Sequence, residues 1–224
     1  MGKGKLITIE AGDGSGKATQ TKALLDHLQK DGYNVMKVEY PDYGSDSSAL
    51  VKMYLGGQFG QHADDVDAYG ASAFFAVDRY ASFHLKWKGA YEAGNVILAD
   101  RYTTSNMVHQ AVKIQDQVRR EEFLSWLWDF EFGKLKLPIP DVVVYLDMDP
   151  DVSDRLIKER AAQNKDRKRD IHEMDKEYLH RCHSAYNWVA DKYGWQKIIC
   201  STNGRPRSVE EIHEDVYAAV KAYI

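Results

Sequence analysis

Residues 6–20 read LITIEAGDGSGKATQ. A β-rich apolar run at 6–10 passes through three alternate glycines, Gly12, Gly14 and Gly16, into Lys17. Beyond it Thr21, Leu24, Leu25 and Leu28 fall at i, i+3, i+4 and i+7, the period of a helix with one apolar face. Strand, glycine turn, Gly-Lys and helix in that order make a phosphate site. The glycines let successive N–H groups converge on phosphate oxygens, the helix N-terminus adds its partial positive charge, and Lys17 adds a full one for the β and γ oxygens. The candidate loop is Gly12, Asp13, Gly14, Ser15, Gly16, Lys17, Ala18 and Thr19. The strict pattern G-x-x-x-x-G-K-[ST] asks for Gly at 11 and a hydroxyl at 18, and both positions are Ala. Ala11 fits where φ stays negative, whereas Ala18 removes the side chain that usually meets Mg²⁺, leaving Thr19, Asp13, Asp100 or water to compensate.

The same alternation continues outward. Short apolar runs at 35–40, 96–100, 142–147 and 197–200 read as further buried strands. Helical spacing recurs at Leu179, Cys182, Tyr186, Val189 and Tyr193, and at Val209, Ile212, Val216 and Val220. Gly32 is placed to stop the first helix, Asp149-Pro150 to start another, and Ser208 with Glu211 forms a capping box. Strands separated by helices imply right-handed crossovers: an α/β fold of three layers, a mostly parallel five-stranded sheet flanked by helices. Ligands then bind outside the carboxyl ends of the strands. One segment, 155–169, is densely charged and loses apolar periodicity after Ile157, which reads as a mobile loop, with a solvated helix bearing a basic face as the other reading.

The chain has 224 residues, 44% hydrophobic and 29% charged, enough for one sizeable core, and we expect a single domain over 1–224. No stretch approaches a membrane span and the first residues lack a secretory h-region, so a soluble cytoplasmic protein is expected. Cys182 and Cys200 are too few and too far apart for a zinc or disulfide framework and read as core. Net charge is −4 with no basic stripe, which argues against nucleic-acid capture and makes phosphate recognition local.

The third strand ends in Asp100-Arg101, a carboxylate for a metal and a guanidinium for an acceptor phosphate on the edge that carries the glycine loop. Taken with IEAGDGSGKATQ at 9–20, FFAVDRY at 74–80 and ADRYTTSNMVHQ at 99–110, these residues resemble the thymidylate kinase family over nearly the whole chain, in its bacterial type with Gly14 before the last Gly-Lys. The resemblance implies a P-loop kinase fold, with ATP and dTMP as substrates, Mg²⁺ held by Asp100 and Thr19, and a homodimer. The helical region 66–91, apolar on more than one face, would supply the dimer contact.

It also implies roles for named residues. Lys17 and Arg101 handle phosphate, and Asp13 orients the acceptor nucleotide. Phe75 stacks on thymine, four residues before Arg79, whose guanidinium bonds a base oxygen. Ser105 and Gln110 read the pyrimidine edge, and Tyr40 belongs to an aromatic-Pro turn at the substrate. The catalytic arginine comes from a lid around 155–171, with Arg160 first and Arg167 and Arg169 behind it. His109 stands where relatives often carry an aromatic ring near the sugar and reads more simply as a surface histidine. Tyr43 stands where some relatives place a phosphate-binding arginine.

The implied reaction moves the γ-phosphoryl of ATP to the 5′-phosphate of dTMP. That acceptor is mostly anionic at neutral pH and needs no strong base, so catalysis reduces to placement and charge. Two alternatives stay open. A deoxynucleoside kinase would need Glu39 or Asp42 as base for a neutral 5′-hydroxyl. A nucleotide-binding regulator without catalysis would account for Ala11 and Ala18.

Overall fold

Five parallel strands carry the apolar runs: β1 (Lys5–Ala11), β2 (Val35–Glu39), β3 (Val96–Asp100), β4 (Val142–Asp147) and β5 (Gln196–Ile199), in the spatial order β2-β3-β1-β4-β5. The computed structural model describes residues 3–163 and 176–224, leaving aside the side chains at 160–163 and 176. Alternation along each central strand sends side chains to opposite faces. Leu6, Ile97, Ala99, Val143 and Tyr145 join one core, while Ile7, Ile9, Leu98, Val144 and Leu146 join the other.

The second face is covered by α1 (Lys17–Lys30) and α9 (Val209–Lys221), through Leu24, Leu28, Ile212, Val216 and Val220. The first face is covered by α3 (Ala68–Ser82), α5 (Thr103–His109), α6 (Gln117–Trp128) and α8 (Lys176–Tyr193). A short α2 (Ala49–Leu55) packs its Val51 and Tyr54 near Ala71 of α3. Wide π-type turns extend α3 at Phe83–Trp87, leading into α4 (Lys88–Glu92), and α6 at Asp129–Lys134.

The punctuation works as its chemistry dictates. Gly32 takes φ 89° just past α1, and Ser208 and Glu211 exchange both capping bonds at α9. The Asp149 side chain accepts from the amide of Asp151 at the start of α7 (Pro150–Gln163). Both cysteines are buried, as expected.

Three expectations are corrected. The loop read from residue 155 onward is helix as far as Gln163, because the apolar residues of α7 need only reach a short contact before the charged part begins. Arg167 and Arg169 lie outside the described residues. The buried stripe of α8 starts at Tyr178 rather than Leu179, and Val209 is exposed on α9. The spacing also misses a small hairpin, β6 (Ser201–Thr202) with β7 (Arg205–Pro206), turned by Asn203-Gly204 with both φ values positive.

β1 is central, paired with β3 on one side and β4 on the other, and the connection after β1 runs to β2 on one side while that after β4 runs to β5 on the other. The crevice beyond Ala11 is therefore where a ligand meets the most strand ends. The entry to β1 is fixed by Gly4, whose amide donates to the Tyr91 carbonyl at 2.7 Å. A Cβ at Gly4 would collide with the Asn95 carbonyl oxygen, which is backbone and cannot rotate away. Gly4→Ala is expected to lower unfolding free energy by about 1–3 kcal/mol, the usual cost of forced overpacking, read from urea denaturation.

Candidate active site

The phosphate loop leaves β1 at Ala11 and turns through Gly14 (φ 75°) and Gly16 (φ 80°), conformations that an L side chain resists. Ser15 folds its hydroxyl back onto the Gly12 carbonyl at 2.8 Å. No side chain caps the start of α1, so its first N–H groups stay available to an anion. On the far side the loop rests on α7: Ser153 donates to the Asp13 carbonyl, and a Cβ at Gly14 would stand 2.6 Å from the Ser153 hydroxyl and 2.8 Å from Ile157. Gly14 is thus required both by its backbone conformation and by the closeness of that helix.

Lys17 reaches across to the Asp100 carboxylate. Its pKa is lowered, first by burial and then by the neighbouring Arg101 charge, with Asp100 opposing both. A phosphate arriving at Lys17 would relieve the same desolvation. Arg101 sits just past β3 at φ 67°, its amide bonded to the Ile9 carbonyl at 3.1 Å. Its guanidinium donates to Asp13 at 3.0 Å and lies 3.3 Å from both Tyr186 Oη and His109 Nε2. Beneath it the fully buried Glu10 carboxylate accepts from the Tyr102 amide and from the hydroxyls of Thr104, Ser105 and Tyr186.

His109 belongs to this cluster and is not a surface histidine, a correction to the sequence reading. Its ring also meets Tyr178 Oη and Cys182 Sγ, and burial together with the Arg101 and Lys113 charges pushes its pKa down to about 3. It is therefore neutral at working pH.

These groups open into a cavity of about 350 Å³ that runs from the loop to Phe75, Arg79, Ser105 and Gln110. The residues assigned to phosphate and to base line one continuous space. On its wall both polar atoms of the Gln110 amide are buried without a hydrogen-bond partner among the described residues, the state of a group built to meet a ligand. Ser105 gives its only proton to Glu10, so toward a ligand it can only accept. Arg79 is buried and paired through two bonds with Glu131. Phe75 is partly buried with its ring edge-on to Tyr54.

Tyr40 touches the cavity, but its hydroxyl is committed inward, donating to Ser82 and accepting from Trp87. Tyr43, at the mouth, is largely exposed. Asp100 lines the cavity, whereas Thr19 is exposed on α1 beyond the lining and Ala18 brings no oxygen. Glu39 is also at the rim and pairs with Lys37 at 3.0 Å. Arg160 falls within α7. The sequence reading missed Glu10, Glu131, Tyr186 and Asp78, the last of which accepts from the Asp42 amide at 2.8 Å and from Ser47, pinning the loop after β2. Asp78 was within reach, because it stands inside the quoted FFAVDRY segment.

A five-stranded parallel sheet in this order, a glycine loop and lysine on its central strand, and a second cation beside a polar-ended cavity define a P-loop phosphotransferase with room for a second nucleotide. A model of the family described as thymidylate kinase matches residues 9–216, and the chain belongs to that family. It is 30% identical over 191 residues to the thymidylate kinase of Mycobacterium tuberculosis strain H37Rv, covering 85% of this chain and 87% of that one. It is 31% identical over 225 residues to a probable thymidylate kinase of Thermococcus gammatolerans, covering 99% and 98%. The solved thymidylate kinase of Candida albicans shares the fold with a TM-score of 0.70 at 18% identity, over 98% of this chain and 92% of that one. The resemblance carried by the three sequence segments is borne out.

The neutral His109 has a consequence for pH. An unfolded histidine titrates near 6.5 and this one near 3, so between those values the unfolded chain binds the extra proton. Stability from this residue is complete above about pH 6.5 and is lost as pH falls toward 3. Replacing His109 by Gln is expected to shrink the drop in urea midpoint between pH 7.5 and pH 5, and an equal drop in both proteins would contradict the assignment.

Proposed function

We propose that the cavity is where this thymidylate kinase transfers the γ-phosphoryl of ATP to the 5′-phosphate of dTMP, giving ADP and dTDP. The observation that carries the proposal is the Gln110 amide, buried and unpartnered among the described residues in the same cavity that Lys17 and Arg101 line. Such an amide can pair with the adjacent N–H and C=O of a thymine edge, and Ser105 can accept beside it. The loop amides and Lys17 hold the donor's phosphates, Arg101 with Asp13 holds the acceptor's, and Phe75 covers the ring.

Magnesium keeps several waters and takes one or two carboxylates plus substrate phosphates. Asp100, on the cavity wall, meets that requirement, and Asp13 stands nearby across Arg101. When bound, the ion would neutralise charge on the phosphates. The remaining charge on the moving group falls to a lid arginine. We assign this to Arg160, because α7 docks on the loop at Gly14 through Ser153 and position 160 lies two turns further on the same helix face. The nucleoside-kinase alternative finds no support in Glu39, which is exposed and paired with Lys37.

Val77, Tyr80 and Leu85 lie exposed along α3 and its wide turn, which supports a homodimer through that surface. No described helix is long and apolar enough to cross a membrane. We place the enzyme in the cytoplasm as one domain, with the expected lid around 155–171 passing beyond the described residues after Gln163.

With Mg-ATP and a panel of acceptors, dTMP is expected to be used at least about 100-fold better, by kcat/KM, than thymidine, because the Arg101 site is built for a phosphate. Comparable use of thymidine would sink the reading. Arg160→Ala is expected to lower kcat by about 10³-fold while leaving KM for dTMP within threefold, the signature of charge stabilised only in transit. Near-normal turnover would move the role to another lid residue.

A further inference from the structure

Arg79 and Glu131 are 52 positions apart in sequence, yet both are almost completely buried, at 1% and 0% exposure. The Arg79 Nε donates to Glu131 Oε2 at 2.7 Å and Nη2 to Oε1, so one edge of the guanidinium is filled by a single carboxylate. Thr103 donates to the same Oε2 at 2.7 Å, which holds the carboxylate from α5. Glu131 itself is carried in the wide turn Asp129–Lys134, and its backbone carbonyl accepts from the Leu137 amide at 3.1 Å. A guanidinium is a rigid plane with five N–H donors and no acceptor. Once Nε and one Nη2 hydrogen are committed, the donors left are the two hydrogens of Nη1 and the second of Nη2. Arg79 lines the cavity, so under the proposed function those remaining donors are the ones available to the acceptor base.

We propose that Glu131 is a positioning residue for acceptor choice: by holding one edge of Arg79 it presents a donor-only edge that suits a pyrimidine with a carbonyl at C4 and disfavours one with an amino group there. This rests on the reading of the cavity as the dTMP site. Thymine offers a carbonyl oxygen to the fixed N–H groups, whereas cytosine would turn an N–H donor toward them. The pair keeps the charge of Arg79 balanced while it is buried, so the guanidinium gains nothing by turning toward bulk water. Released from Glu131, the plane could rotate about its stem, and the same residue would no longer distinguish the two bases.

The test is steady-state kinetics on Glu131→Gln, which keeps the side-chain shape, with dTMP and dCMP as acceptors. The expected result is a KM for dTMP raised at least about tenfold with kcat within about threefold, and a dTMP-over-dCMP preference reduced about tenfold, since a binding contact made equally in ground and transition states moves KM. A merely structural role would lower thermal midpoint and active fraction but leave KM and preference unchanged, and that result in folded Glu131→Gln overturns the proposal. Glu131→Asp, which restores the charge one methylene short, is expected to recover part of the preference. If Glu131→Gln does not fold, Thr103→Val removes only the hydroxyl that steadies the carboxylate, and an unaltered base preference there overturns the proposal equally. Failure of the underlying reading looks different, because wild-type protein would then fail to favour dTMP at all.

Discussion

Two cations share the carboxyl rim of the sheet, and everything at the site depends on how their mutual repulsion is held. Lys17 is disfavoured in this space first by burial and then by the Arg101 charge, as its depressed pKa records. Asp100 answers Lys17, while Asp13 and the deeper Glu10 answer Arg101. Removing one member of such a group would cost about 3–5 kcal/mol where it is buried, because the charge left behind has no water to turn to. The backbone supports the arrangement: parallel register sets Ile9 opposite Asp100, and the left-handed turn at Arg101 sends its side chain toward Asp13 across the rim. Each cation is thus held against a carboxylate, Lys17 by Asp100 and Arg101 by Asp13, a pairing that an anion arriving at the rim could exchange for its own charge.

That charge design explains why the acidic neighbours divide into two kinds. Glu10 is wholly buried and collects four donors, so its task is to hold Tyr102, Thr104, Ser105 and Tyr186 in place around the acceptor end. Asp100 reaches the cavity and has Lys17 as its partner, an attachment that an incoming phosphate can compete for. A carboxylate released in that exchange is available to a hydrated divalent ion. Under the proposed function Ala18 would be tolerable for this reason, since the strand end offers an oxygen that the loop lacks.

The sheet was legible in the sequence because strands buried on both faces read as unbroken apolar runs, and β3 and β4 were placed at the right bounds. The phosphate loop was legible because glycines, lysine and helix stand together in eight residues. The rest was hidden for identifiable reasons. Most of the apolar face of α7 comes before residue 158, so its charged half imitated a loop. His109 looked like surface because nothing local announces Tyr178 and Cys182, which arrive from a helix about seventy residues away. Glu10 and Glu131 passed unnoticed because an acid in the middle of an apolar stretch reads as an exposed position until its donors are known, and those donors come from other elements.

Arginine is used in two ways in one cavity, and burial decides which. The Arg101 side chain is 20% exposed and shares its donors among an aspartate, a tyrosine and a histidine, none of which fills a whole edge. A phosphate can therefore displace or join those partners and take two bonds at once, gaining charge as well as geometry. The Arg79 side chain is 2% exposed and has one edge closed by a carboxylate, so an anion at its free edge would bring a second negative charge next to Glu131 with no water to screen it. A neutral carbonyl carries no such penalty. The same side chain is balanced loosely at the rim and tightly in the core, so under the proposed function charge alone would favour an acceptor with its phosphate at Arg101 and its base at Arg79 over the reverse orientation.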